Sequence, residues 1–216
     1  MNFIFDPSLL LCLPLYEMDG PSFISKDAYG HIFTANGALW TPSGRSFDGT
    51  DDYLSNPTLL DVMPEALTLE AWISIQGGSG TWRGIVEKEN IVGDDRLRLV
   101  IDSSNNITFF VEGQADGGVT VTGLSNSALN KWYHCAGVYE AGAALKIYID
   151  TMMTQSGTTG TIQNGSYGDF IIGNESHATL LRHDFNGLIG EVRVYTRVLS
   201  AHEIQHNFLA TKWRYR

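Results

Sequence analysis

Short runs of apolar and β-branched residues dominate the pattern of this chain, with clear period-two alternation at 67–75. The runs are separated by Gly, Asn, Asp and Ser, and no helical period persists until the C-terminal end. Residues 67–75 set Leu67, Leu69, Ala71, Ile73 and Ile75 against Thr68, Glu70, Trp72 and Ser74. One of these faces is core, and Trp72 lies on the other. Residues 9–15 form an apolar run compatible with a strand buried on both sides, and Pro14 predicts that one of its edges is unpaired. A turn at 27–31 and a lead through 37–40 into a second turn at 41–44 come next. Strands are predicted at 85–88, 97–102, 107–112 and 119–124 as a meander, with a hairpin turn at 103–106. Others lie at 132–139 and 145–149, joined by a turn at 140–143, and at 170–172 and 188–195. The polar stretch 154–166 has room for an edge strand at 161–163 between loops. The one predicted helix covers 200–209, where Ser200 and Glu203 form a capping-box pair. Strands at this spacing with no intervening helices argue for two packed antiparallel sheets.

A composition of 43% hydrophobic and 18% charged residues supports a substantial core and excludes a disordered or fibrous chain. One domain over 1–216 is expected, because sandwiches commonly exceed about 200 residues and no linker-like shift in composition occurs. The net charge of −10 opposes a grip on phosphate backbones or an anionic membrane surface, so nucleic acid is not an expected partner. Cys12 and Cys135 both lie in apolar runs and are read as small buried hydrophobes, too few for a disulfide framework. The N-terminal apolar stretch has no Lys or Arg before it and no small-residue cleavage site, so it reads as a first strand and not a signal peptide. No run is long enough for membrane insertion.

Several dispersed motifs then narrow the class. They are LLLCLPLYEMDG (9–20), DAYGHIFTANGALW (27–40), SFDGTDDYL (46–54), LTLEAWI (67–73), NKWYHCAGVY (130–139), KIYID (146–150) and FNGLIGEVRVYTRVLSAHEI (185–204). Together they resemble the laminin-G-like, concanavalin A-like jelly-roll family over nearly the whole chain. The resemblance implies an all-β, antiparallel two-sheet jelly-roll sandwich with a short C-terminal helix. It leaves function open, since that family includes lectins, adhesion modules, accessory domains and virion proteins.

The resemblance also implies one structural calcium ion where the N-terminal loop meets the last strand, with an acidic residue of a GxIDEVRIY-like motif among its ligands. This chain has GLIGEVRVY, with Gly190 in that place. A Gly offers a carbonyl but not the charged oxygen that a hard cation prefers. Asp27, the Gly30 carbonyl, Asp48 and Glu191 would complete the set. The other reading is that Asp48, Asp51 and Asp52 cap turns.

Hydrolysis of glycosides on this fold needs two carboxylates flanking the scissile bond. Glu87-Lys88-Glu89 has the i, i+2 spacing, but the ExDxxE string of related laminarinase-type enzymes is absent and the acids read as an exposed strand end. No catalytic residue is assigned, and the chain is expected not to be an enzyme. His202 and His206 read as a solvated helix face. Sugar binding instead calls for an aromatic platform beside hydrogen-bonding side chains on loops. Trp82 in GGSGTWRG (77–84) is the platform candidate, with Arg83, Asn90, Asp94, Asp95 and Arg96 alongside it, unless Trp82 packs over a strand end. Trp40 and Tyr215 are not expected to be contacts, and Trp213 is assigned to helix docking or a subunit interface.

The expected function is therefore non-catalytic recognition of a glycan or cell-surface receptor, plausibly on a virus particle. The C-terminal HNFLATKWRYR (206–216) is similar to that of phage-encoded members of the family. The alternative is a virion structural protein (decoration, fibre or tail component) contacting other virion proteins or copies of itself as a homo-oligomer. A glycoside hydrolase is the second alternative. The expected location is extracellular or the virion surface.

Overall fold

Among the described residues, the short β-rich runs fold as sixteen strands in two antiparallel eight-stranded sheets. The structure is a computed structural model and describes residues 6–78, 81–89, 96–112, 118–162, 168–174 and 183–216, without the side chains of Glu89 and Arg96. In chain order the strands are β1 (Leu9–Pro14), β2 (Ser22–Ile24), β3 (Ile32–Asn36), β4 (Leu39–Thr41), β5 (Gly44–Asp48), β6 (Tyr53–Asn56), β7 (Ala66–Ile75) and β8 (Arg83–Glu89). They continue with β9 (Arg96–Ile101), β10 (Ile107–Glu112), β11 (Val119–Leu124), β12 (Trp132–Glu140), β13 (Ala144–Ile149), β14 (Met152–Thr158), β15 (Phe170–Ile172) and β16 (Asn186–Tyr195). A helix, α1 (Ala201–Thr211), follows. The first sheet runs β14-β13-β12-β7-β16-β5-β4, with β1 also paired to β16. The second runs β11-β10-β9-β8-β15-β6-β3-β2.

The core lies between the sheets. Across three strands of the first sheet, Cys135, Ala71 and Val192 sit side by side, which makes the Cys135 thiol the small buried hydrophobe that its sequence setting predicts. Gly137 lets the sheets approach: a Cβ there would lie 2.6 Å from Cδ2 of Phe109, a core side chain of the second sheet. Among the described residues β1 is laddered only with β16, so no strand pairs with its other edge, as Pro14 predicts, and there the Lys26 amide donates to the Cys12 carbonyl at 2.8 Å. Asp27 covers that edge by accepting from the Cys12 amide at 3.0 Å.

Two elements differ from expectation. The edge strand forms at Met152–Thr158, while 161–162 are not in a strand and 163 lies outside the described residues. Asp150 and Thr151 both have positive φ (49° and 82°), and a two-residue turn of that hand returns the chain directly onto β13. The Trp72 face of β7 is also not open: Thr68, Glu70, Trp72 and Ser74 are all buried.

Helix α1 supplies the cover. Its N-terminus carries the predicted capping box, in which the Glu203 amide donates to the Ser200 hydroxyl and the Ser200 amide to the Glu203 carboxylate. Arg197 bridges Glu203 (2.7 Å) and Asp6 (2.8 Å), tying the helix start to the segment before β1. Ile204, Asn207, Phe208 and Thr211 share one face by helical spacing. Ile204 is fully buried with Tyr148, Tyr195 and Leu199, Phe208 stacks on Trp72, and Thr211 Oγ1 accepts from the Trp72 indole at 2.9 Å. No helix among the described residues is long and apolar enough to cross a membrane.

Beneath the helix, Glu70 and His134 face each other at 3.7 Å, and Asn207 donates to Glu70 at 2.8 Å. Burial disfavours charge on both. It pushes the Glu70 carboxyl up to about 7 and holds the His134 imidazole down at about 3. The stability due to neutral His134 is therefore present above pH 6.5 and lost as the pH falls toward 3; that of Glu70 is present below pH 4.5 and lost as the pH rises through 7. The two slopes oppose each other at intermediate pH, and His134 acts alone on the acid side. Urea unfolding of His134→Gln should show the acid limb between pH 4.5 and 3 flattened by about 1.4 kcal/mol per pH unit relative to the wild type. An unchanged limb would mean that His134 is charged in the fold.

Candidate functional site

At the start of β8, Arg83 and Trp82 separate into opposite roles. Arg83 is fully buried. Its guanidinium donates to the Gly77 carbonyl at 2.7 Å and to Asn105 Oδ1 at 2.6 Å, joining the strand to the 103–106 hairpin. The expectation that Arg83 contacts a ligand is corrected: a buried guanidinium needs internal partners, and here both terminal nitrogens are taken up inside the fold. It acts instead as the anchor for Trp82, which is 43% exposed. The indole is tilted 33° to the His183 ring at 6.1 Å and has no hydrogen-bond partner among the described residues.

Alternation along β8 places Glu87 on the outer face of the second sheet, where it is fully buried and not an exposed strand end. His183 Nδ1 lies 2.9 Å from one carboxylate oxygen and Arg98 Nε 3.5 Å from the other. The Arg98 guanidinium also lies 6.0 Å over the Phe110 ring. Lys88 points the opposite way and reaches Asp61 at 2.8 Å. Asn90, Asp94 and Asp95 lie outside the described residues, and Arg96 enters only by its backbone, opening β9 opposite Glu89.

The five residues expected around calcium are not brought together. Asp48 pairs with Asn186 at one end of β16 and Glu191 with Pro14 five residues on, a separation on the order of 15 Å along the strand. Asp27 Oδ1 accepts from the Tyr29 and Gly30 amides, and Oδ2 from Cys12, so that carboxylate caps a turn and a strand edge. Glu191 is buried and paired with Arg193 at 2.5 Å. Gly190 is covered by an aromatic ring: a Cβ would lie 2.3 Å from Cε1 of Tyr215. These residues do not fit the ion. Asp48, Asp51 and Asp52 do gather carboxylate oxygens within 4.8 Å. Two of the three serve the turn, with Asp48 accepting from the Thr50 amide (2.9 Å) and Asp52 from the Asp48 amide (2.8 Å).

A feature missed in the sequence lies on the outer face of the first sheet. After α1 the chain turns back, and Tyr215, not Trp213, docks on the sheet. Trp213 is 60% exposed, with its indole donating to the Ala210 carbonyl. Tyr215 stacks on Trp72 at 4.6 Å and leans on Trp132 at 4.7 Å. Beside them is an open groove of about 320 Å³, with Asp150, Lys212 and Arg216 among its lining residues. The alternation of cations and aromatics in Lys212-Trp213-Arg214-Tyr215-Arg216 is its only trace in the sequence.

The family model of the concanavalin A-like lectin/glucanases superfamily matches residues 48–205. The chain belongs to this superfamily. No curated protein matches it. Among solved structures, this lectin/glucanase-type chain is similar to Trypanosoma rangeli sialidase in complex with sialic acid, at TM-score 0.71 and 18% identity over 97% of this chain and 34% of the sialidase. It is also similar to the binding domain of botulinum neurotoxin DC in complex with rat synaptotagmin II, at TM-score 0.72 and 13% identity over 94% of this chain and 52% of that domain. It thus spans about a third of the one and half of the other, and likeness at such identity concerns the fold.

For this lectin/glucanase-type sandwich, adding chelator or millimolar calcium should move the melting temperature by less than about 1 °C. A shift of several degrees would show a bound ion, with the Asp48, Asp51 and Asp52 turn the place to seek it. Restoring the family's acid by Gly190→Asp should not create calcium dependence, and should cost about 1–3 kcal/mol in urea unfolding by displacing Tyr215.

Proposed function

We propose that this chain is a non-catalytic binding domain that recognises a carbohydrate or a cell-surface receptor through the Trp82 end of the second sheet. One observation carries the reading: a large aromatic ring stands 43% exposed immediately before a strand whose first residue, Arg83, is fully buried and doubly hydrogen-bonded. A platform held in that way loses little freedom when a sugar ring stacks on it. The sialic acid complex of the sialidase and the synaptotagmin complex of the toxin domain support binding as the use of this fold. The burial of Glu87 between His183 and Arg98 supports a structural carboxylate over a hydrolytic one. A glycan array followed by titration of the best hit should show binding that Trp82→Ala weakens at least about tenfold, while the melting temperature hardly changes. An array without hits, or a hit indifferent to Trp82→Ala, overturns the proposal.

A second reading, a particle subunit acting through protein contacts and displayed on a virion, draws on Ile24 and Ile32. These are paired across β2 and β3 at the edge of the second sheet and are 59% and 60% exposed. It requires a stable homo-oligomer in light scattering that Ile32→Lys dissociates. The recognition reading expects a monomer at every concentration.

A further inference from the structure

The groove beside Tyr215 carries a chemistry that the Trp82 end does not. The chain as a whole is acidic, at −10, yet its last five residues hold Lys212, Arg214 and Arg216 and no acid. Arg214 is spent on packing, 3.7 Å over the Tyr16 ring and 4.7 Å over Trp213. Lys212 and Arg216 are exposed at the groove and make no ion pair among the described residues. The Lys212 ammonium lies 5.5 Å over the Phe208 ring, which keeps the charge at the groove wall.

The walls are fixed before any ligand arrives. Trp72 is held by its bond to Thr211, Thr211 in turn donates to the Asn207 carbonyl, and Tyr215 is clamped between Trp72 and Gly190. Opposite them, Asp150 sits in a left-handed turn with one carboxylate oxygen accepting from the His134 amide at 2.9 Å. The turn is completed by Thr151 at φ 82°, a conformation costly for a β-branched residue and one that accumulates at ligand clamps. The second oxygen of Asp150 has no partner among the described residues.

We propose that this groove binds a sugar ring bearing an acidic group, either a carboxylate or a sulfate. The half-buried Trp132 takes the apolar face of the ring, backed by the buried Tyr215, Lys212 and Arg216 hold the acidic group, and Asp150 accepts from a hydroxyl. Two cationic side chains stand against one carboxylate side chain at the rim, and their ammonium and guanidinium donors favour an anionic ligand over a neutral one. The volume of about 320 Å³ stands at the low end of ligand sites and suits one ring. The proposal rests on the reading of this chain as a carbohydrate-binding domain but not on Trp82 as its contact.

The test is an NMR titration of the full chain with methyl β-glucuronide, a sulfated methyl glycoside and neutral methyl β-glucoside. At least one of the acidic sugars should bind saturably and at least about fivefold more tightly than the glucoside, and added salt should weaken it. The double variant Lys212→Ala/Arg216→Ala, both at exposed positions, should lose at least about tenfold, while His202→Ala on the solvated helix face changes nothing. Equal binding of acidic and neutral sugars, no saturable binding of either acidic sugar, or indifference to the double variant overturns the proposal. Acidic-sugar binding that Trp82→Ala abolishes and the double variant keeps overturns the groove and leaves the Trp82 reading standing. Binding that only the double variant abolishes does the reverse. Saturation by an acidic peptide with no response to the sugars would identify a protein surface and likewise overturn it.

Discussion

Trp72 cannot be left in water, and the architecture of the first sheet follows from covering it. It lies on the outward face of β7, between β12 and β16, with Glu70 and His134 as neighbours on the same face. A sheet whose two faces are both rich in apolar side chains needs a layer on each side. The second sheet supplies one layer; α1 and the Tyr215 segment supply the other. The same requirement explains Gly190, where a side chain would occupy the space of the Tyr215 ring. A position that looks like a lost metal ligand is thus a packing contact, and the acidic residue beside it, Glu191, is paired with Arg193.

The buried charged groups belong to the same economy. Arg83, Glu87 and Lys88 follow closely along β8 and all are fully buried, a costly arrangement unless each finds partners. Each does: Arg83 ties the strand to a hairpin, Glu87 meets His183 and Arg98, and Lys88 reaches Asp61. Their yield is geometric definition at the end of the second sheet, where Trp82 is presented. Recognition surfaces on sandwiches are loop ends held by such scaffolds, and the superfamily has placed many unrelated functions on them.

The covering layer also divides the molecule into two candidate surfaces. The helix covers the Trp72 region of the outer face of the first sheet, and a groove lies where the chain turns back past Trp132. The second sheet carries its aromatic platform at the end where Arg83 enters. The two surfaces can be altered independently, because Trp82 adjoins β8 of the second sheet while the Lys212–Arg216 segment packs on the outer face of the first.

Short β-rich runs and turn residues are local information, so the chain itself determined the longer strands, the two antiparallel sheets, the capped helix predicted at 200–209 and the edge at Pro14, while the short strands β2 to β5 and the edge strand β14 carried too little pattern to be assigned. Gly-rich turns and the dispersed motifs were enough for the superfamily. Alternation does not say what lies on the far side of a strand, so the burial of Trp72 and Glu87 was invisible. Nor does proximity in sequence report where a side chain ends. Arg83, next to Trp82, turns inward, while Asp27 and Gly30 lie in the β2–β3 connection of the second sheet, Asp48 ends β5 of the first, and Gly190 and Glu191 sit further along β16. The docking of Tyr215 in place of Trp213, and with it the groove among Trp132, Asp150 and Lys212, was decided only by tertiary structure. Contacts between residues sixty or more positions apart depend on which layer the chain must cover, and no local pattern encodes that.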